Sequence, residues 1–458
     1  MKSFFPHTLL CIPTLLAGAL GLSLRLTASQ SQIEATHSRS AVHLRLDLDR
    51  PVLPAGTLER AIVKVSLDGV RSLRPESRTP VNLCLVIDRS GSMNGEKIEK
   101  ARAAALEAVS RLSDDDVFSL VVYNNSVETL IPARRVGDGG DLESQIRSIR
   151  AFGGTALHGG VQQGASELRH SIEDRRYVHR LILLSDGLAN VGPSSPDELA
   201  RLGAALVQEG ISVTTIGVGL DFNEDLMTRL ARRSDGNTYF VASSHDLPAI
   251  FRQEIGDVLS IVARQVVVTV ELPQGVRPIG LVGRDGVIRG QTVEITLNQL
   301  YGGQGKFALI EVEVSPSTNG AEREIARAEV TFEDPIGGRQ ERISARRTVR
   351  FATDRQTVIA SANLAVQTDY ARNVTAIAKD TAVVLVDGQR KEEAARQLRA
   401  RSRDLELIAK TYGNAAVLGI ASANAAEADR LERDGLDNVT RKAYRAESTQ
   451  TTNQQAPR

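Results

Sequence analysis

The chain has 458 residues, with 56 Lys and Arg against 56 Asp and Glu, 41% hydrophobic residues, 4% aromatic residues and two cysteines. At roughly 150 residues per domain this length allows about three domains, each able to bury a core without disulfides. The level charge supplies no basic field to gather phosphates, which argues against a nucleic-acid partner, and the composition equally excludes an acidic disordered scaffold.

Residues 1–28 read as a secretory signal peptide: Lys2 precedes an apolar run from Leu9 to Leu24, and Ala17-Gly18-Ala19 offers small residues for cleavage. The protein is therefore expected to be periplasmic or secreted. An uncleaved N-terminal membrane anchor is the alternative, weakened by Pro13 and the glycines. No later segment reaches 18 apolar residues, so no intrinsic pore is expected. After cleavage only Cys84 remains, inside the apolar run 81–87, where a thiol behaves as a small buried hydrophobe.

Residues 40–77 alternate apolar with polar side chains, the period of half-buried strands, and are expected to be the first strands of a β-sandwich. Over 78–260 the rhythm changes to apolar strand, turn, amphipathic helix, and repeats. The run 81–87 is followed by Ile98, Ala101, Ala105, Val109 and Leu112 at helical spacing, and 117–123, 181–184 and 211–218 are further buried-strand candidates. Ser195 and Glu198 form a capping box with Pro196 at the first helical position. Alternation of this kind predicts a doubly wound, mostly parallel α/β sheet with helices on both faces. Period-two texture returns over 261–352 with Gly, Pro and Asn turns between, predicting an antiparallel β-sandwich into which the α/β domain is inserted. A helical hairpin broken at Asp387-Gly388 is expected over 355–435, and a polar, disordered tail over 436–458.

The chemistry concentrates where the first buried strand ends. Asp88, Ser90 and Ser92 alternate along the turn 88–92, with Gly91 permitting its tightness, so one carboxylate and two hydroxyls can face one centre. Oxygen donors with little charge suit a hard cation such as Mg²⁺ and make a poor zinc site. Thr155, on the Gly-rich segment 152–157, and Asp186, just after another buried strand, are expected at the same sheet edge. Singly, each of these residue types is common in turns and helix caps; as a set over three loops they point to a site.

The pattern Asp88-x-Ser90-x-Ser92, then Thr155, then Asp186 resembles the metal-ion-dependent adhesion site of a von Willebrand factor type A domain, and the match spans about residues 78–260. Ser185 to Gly192 further resembles the bacterial calcium-activated chloride channel-like subgroup. The resemblance implies that Ser90, Ser92 and Thr155 approach Mg²⁺ (or Mn²⁺ or Ca²⁺) directly, that Asp88 and Asp186 hold it directly or through water, and that an open position accepts a carboxylate from a protein partner. Arg89, Asn94 and His158 are candidate rim residues, Arg89 for an acidic partner. No enzyme is expected, and no H-E-x-x-H pair or G-x-S-x-G elbow is present. An extracytoplasmic accessory subunit of a membrane transporter or channel is the alternative function, and a metal-assisted hydrolase using His158 as base ranks below it. Two acidic stretches receive structural readings: Asp221 to Asp225 lacks the glycine and the twelfth-position Glu of a calcium loop and reads as a helix start, and Ser113 to Asp116 reads as a turn.

Overall fold

The structure, a computed structural model, describes residues 40–71 and 78–455; the expected signal segment 1–28 lies outside the described residues. Three strands come first, β1 (Val42–Leu48), β2 (Val52–Pro54) and β3 (Glu59–Gly69). The next stretch contains β4 (Val81–Asp88), α1 (Glu96–Val109), β5 (Val117–Tyr123), β6 (Val127–Arg135), α2 (Leu142–Ser148), α3 (Leu157–Arg169), β7 (Val178–Ser185), α4 (Pro196–Gln208), β8 (Ile211–Val218), α5 (Glu224–Arg233), β9 (Thr238–Val241) and α6 (Leu247–Val258).

These build one sheet in the order β6-β5-β4-β7-β8-β9, parallel except for the β5–β6 hairpin. Strands β4, β5, β7 and β8 are buried at every position, as strands covered on both faces must be. Alternate residues of β4 serve opposite faces. Leu83, Leu85 and Ile87 share a core with Ile98 of α1, Ile146 of α2 and Phe251 of α6, whereas Cys84 and Val86 pack with Val161 of α3, Leu206 of α4 and Leu230 of α5. Burial pushes the Cys84 thiol up to about 12, so it is a core residue and not a nucleophile. Gly160 and Gly164 let α3 lie close to the sheet, since a Cβ would come within 2.7 Å of Tyr123 at the first and 2.5 Å of Val86 at the second. That close approach fixes where the start of α3, and Thr155 just before it, arrives.

Strands β10 (Ile261–Glu271), β11 (Val276–Val282), β12 (Val287–Arg289), β13 (Thr292–Tyr301), β14 (Gly305–Val314), β15 (Glu322–Glu333) and β16 (Gln340–Ala352) join β1–β3 in two further sheets, ordered β1-β3-β14-β11 and β12-β13-β10-β15-β16-β2. One core containing Val63, Val268, Ile310 and Phe332 lies between them. Because β3 pairs with β14, Val63 opposite Ile310, the chain leaves one sheet, builds the α/β sheet and returns. Strand β2 runs parallel to β16, so the sandwich is not wholly antiparallel.

The helices are α7 (Arg355–Ala360), α8 (Leu364–Asp387), α9 (Lys391–Tyr412), α10 (Ala415–Asp434) and α11 (Asn438–Thr452). The hairpin expected over 355–435 contains three long helices: Gly413, left-handed at φ 68, closes α9, and the Asn414 side chain caps α10, a break hidden inside a continuously helical pattern. The tail expected to be disordered is largely α11. Its amides serve β9, the edge of the parallel sheet: Gln450 Nε2 donates to the Thr238 carbonyl at 3.0 Å, and Gln455 Oε1 accepts from the Thr238 amide at 2.8 Å. Edge peptide groups need partners, and polar side chains that supply them look solvated to a hydropathy reading. Among the described residues no helix is long and apolar enough to cross a membrane.

His179, near the start of β7, gives the fold a pH limit. Burial first, and then the charge of Arg264, bring its imidazole down to about 4, and its Nδ1 lies 3.1 Å from Asn82 Nδ2. The neutral ring is the native form, so its stabilisation is complete above the ordinary histidine value of about 6.5 and is lost as pH falls toward 4. A loss on the order of 2–3 kcal/mol is expected between pH 7 and 4.5. Urea unfolding across that range, compared with His179→Gln, checks it: the variant should show the smaller pH slope.

Candidate metal centre

Strand β4 delivers Asp88, fully buried, to the carboxyl edge of the sheet. Its Oδ1 accepts from the Ser90 amide at 2.8 Å and its Oδ2 from Ser185 Oγ, the last residue of β7, at 2.7 Å. Two neighbouring strand ends are thereby tied through one carboxylate. Burial pushes that carboxyl up to about 6, with the nearby charge of Asp186 adding to the effect.

After Asp88 the chain makes a short 3-10 turn over Gly91–Met93. Ser90 Oγ and Ser92 Oγ lie 3.0 Å apart, and Ser92 Oγ donates to Asp186 Oδ1 at 2.7 Å. The third loop is laced onto the first: the Gly91 amide donates to the Gly153 carbonyl at 2.9 Å and the Phe152 amide to the Arg89 carbonyl at 2.8 Å. Asn190 Oδ1 accepts from the Thr155 amide at 2.8 Å, while the Thr155 carbonyl accepts from the Asn190 amide at 3.1 Å. Asn125 Oδ1 accepts from the Gly154 amide. Gly187 keeps space open between the loops, because a Cβ there would stand 3.1 Å from Thr155 Oγ1 and 3.5 Å from Ser92 Oγ.

The fold thus gathers Asp88, Ser90, Ser92, Thr155 and Asp186 at one edge, with Asp88, Ser90, Thr155 and Asp186 buried and Ser92 exposed at the mouth. Among the described residues no group of three or more His, Cys, Asp or Glu is placed to hold a metal. The donor set is two carboxylates and three hydroxyls, all oxygen, which fits a hard divalent cation and leaves a soft one without ligands. The room that Gly187 leaves is consistent with an ion among these oxygens.

Lys97, in the first turn of α1, carries no local signal of its role in the sequence. Its ammonium donates to Asp186 Oδ2 at 2.5 Å, neutralising a carboxylate that is otherwise fully buried. Ser185 and Asn190, which the sequence marks only as part of the 185–192 resemblance, and Asn125 take their roles from hydrogen bonds that join segments far apart in the chain, at which only the alternation of polar residues just beyond apolar strands hints.

The rim candidates separate. Asn94 is exposed at the end of the 3-10 turn, its amide donating to the Gly91 carbonyl at 3.2 Å. Arg89 is not available to an acidic partner as expected: its guanidinium donates to Glu128 at 2.6 Å and lies 5.1 Å from the centre of the Phe152 ring. Its partner stands on β6, which no local pattern around Arg89 reveals. His158 is the second residue of α3; burial lowers its imidazole, and the groups acting on it are Glu198 and Gln162. Of the acidic stretches, Asn223 caps α5 by accepting from the Asp225 and Leu226 amides, and Asp116 accepts from Arg78 and the Val81 amide.

An open, mostly parallel sheet with helices on both faces and polar loops converging at its carboxyl edge defines a Rossmann-like α/β domain. Residues 82–253 match the family model of the von Willebrand factor type A domain, and the chain carries such a domain. It is 27% identical over 279 residues to the uncharacterised protein sll0103 of Synechocystis sp., covering 59% of this chain and 65% of that protein. It is 30% identical over 177 residues to inter-alpha-trypsin inhibitor heavy chain H4 of Homo sapiens, covering 36% of this chain and 19% of that one. The matches thus span less than two thirds of either relative. A solved structure, the von Willebrand factor type A protein from Catenulispora acidiphila, superposes with a TM-score of 0.64 at 17% identity, covering 87% of this chain and 98% of that chain. That coverage extends well beyond 82–253, so sheet, sandwich and helices recur together in the same fold.

Proposed function

We propose that this is a non-enzymatic, periplasmic or secreted binding module in which Ser90, Ser92 and Thr155, with Asp88 and Asp186, hold a divalent cation, Mg²⁺ or else Mn²⁺ or Ca²⁺, for recognition of a carboxylate on a protein partner. The observation that carries it is the convergence of three hydroxyls and two carboxylates from three loops around the space left by Gly187. When bound, the cation supplies an electrophilic centre with an open position for a carboxylate oxygen. Asp88 is held in place by Ser90 and Ser185 and orients the turn; Ser92, at the mouth, stands where a ligand arrives. Domains of this type typically bind a divalent metal and commonly mediate protein–protein interactions, which supports the reading. The groups acting on His158 are Glu198 and Gln162, and no hydrolase reading is built on it. The assignment to the channel-like subgroup and the extracytoplasmic location rest on Ser185 to Gly192 and on residues 1–28 alone.

Calorimetric titration of the full chain with Mg²⁺ tests it; one saturable site is expected, and no heat of binding from Mg²⁺, Mn²⁺ or Ca²⁺ defeats it. Lys97 adds a sharper expectation. Its ammonium shares Asp186 with any incoming cation, so Lys97→Met should raise Mg²⁺ affinity about three- to tenfold by removing a like charge. Unchanged or weaker binding would show that Lys97 does not compete.

A further inference from the structure

Phe152, Leu188 and Leu220 are large apolar residues that stand 54%, 59% and 45% exposed. They belong to three separate loops, yet each is anchored beside the metal centre. Phe152 donates its amide to the Arg89 carbonyl, next to Asp88. Leu188 follows Gly187, which lies against Thr155 and Ser92, and Leu220 follows Gly219, where a Cβ would stand 3.6 Å from Lys97 Nζ. The three therefore border the ends of β4, β7 and β8, which are adjacent in the sheet. At about 4.8 Å per strand, they span about 10 Å, the reach of a few residues of extended peptide. Scattered single apolar residues are ordinary on a surface; these three stand beside one polar site.

Charge narrows the occupant. Arg89 on the first loop and Lys97 in the first turn of α1 are both engaged, Arg89 by Glu128 and Lys97 by Asp186, and the exposed Asp221 beside Leu220 repels a run of acids. Arg89 acts instead as a positioning residue, its guanidinium lying over the Phe152 ring. We propose that this rim selects a protein segment with one Asp or Glu flanked by large apolar side chains, the carboxylate meeting the metal centre and the flanks covering Phe152, Leu188 and Leu220. This rests on the metal reading above.

A phage-displayed random peptide library, panned on the full chain in Mg²⁺ and eluted with EDTA, tests it. The eluted peptides should share a single acid with Leu, Ile or Phe neighbours, and synthetic versions with Ser at those neighbours should bind about tenfold or more weakly. Leu188→Ser and Leu220→Ser should each narrow that difference, with a Mg²⁺ titration of each variant separating loss of the rim from loss of the metal. A consensus of consecutive acids, indifference to the flanks, or no EDTA-eluted peptide from a chain that binds Mg²⁺ overturns the proposal and leaves the metal reading standing. A chain that takes up no Mg²⁺ defeats both.

Discussion

Asp186→Ala should cost the chain on the order of a hundredfold or more in Mg²⁺ affinity while leaving its metal-free melting temperature within a few degrees of the parent. Groups that merely orient a ligand cost about 10–100-fold when removed, and Asp186 belongs to the donor set itself. The fold is spared for a reason particular to this carboxylate. Its charge partner Lys97 is 28% exposed in its side chain and can turn its ammonium to water, and Ser92 stands at the exposed mouth. Asp88 is the worse choice for the experiment, because both its oxygens accept hydrogen bonds inside the protein and Asp88→Ala would orphan the Ser90 amide and the Ser185 hydroxyl. Retention of parental Mg²⁺ affinity by Asp186→Ala would remove Asp186 from the site.

The second large effect concerns Arg180, a fully buried arginine on β7. Its guanidinium donates to Thr214 at 3.3 Å and to Gln299 at 2.6 Å, contacts the Tyr301 hydroxyl, and lies 3.7 Å from Glu254. Glu254, on α6, also accepts from Thr214 at 2.5 Å, Asn237 at 2.8 Å and Tyr239 at 3.0 Å. Because Gln299 and Tyr301 belong to β13, this cluster joins the parallel sheet to the sandwich. Arg180→Met leaves the Glu254 charge buried without its cation and should cost about 3–5 kcal/mol, read as a fall in the urea midpoint. Arg180→Met combined with Glu254→Gln should recover a substantial part, since the neutral amide keeps hydrogen bonds without an uncompensated charge. A single variant as stable as the parent would show that the cluster is tied elsewhere.

What the sequence made legible was local. Strands covered on both faces announce themselves as apolar runs, and Asp88, Ser90, Ser92, Thr155 and Asp186 each stand just past a strand or just before a helix, so their meeting follows from the alternation of elements. Partners drawn from a distance were not legible. Lys97 looks like any lysine in a first helical turn until the fold sets it on Asp186, and Arg89 looks solvated until β6 folds back with Glu128. Helix α11 is the plainest case. Lys442 donates to the Phe222 carbonyl at 2.5 Å and pairs with Glu224, while Arg445 pairs with Asp225 and Asp380, so charges that a composition count sees as solvated instead clamp the helix onto the start of α5 and onto α8. Periodicity reports which faces are apolar and is silent about buried charge met by charge.

The proposed cation site is made of five oxygen-bearing residues from three loops. Crystals of the full chain grown with Mn²⁺ test it most directly, through anomalous scattering. A single peak roughly 2.1–2.4 Å from the hydroxyls of Ser90, Ser92 and Thr155, with the Lys97 ammonium withdrawn from Asp186, is the predicted result. Well-ordered loops with no anomalous peak between them, and Lys97 still seated on Asp186, would contradict it.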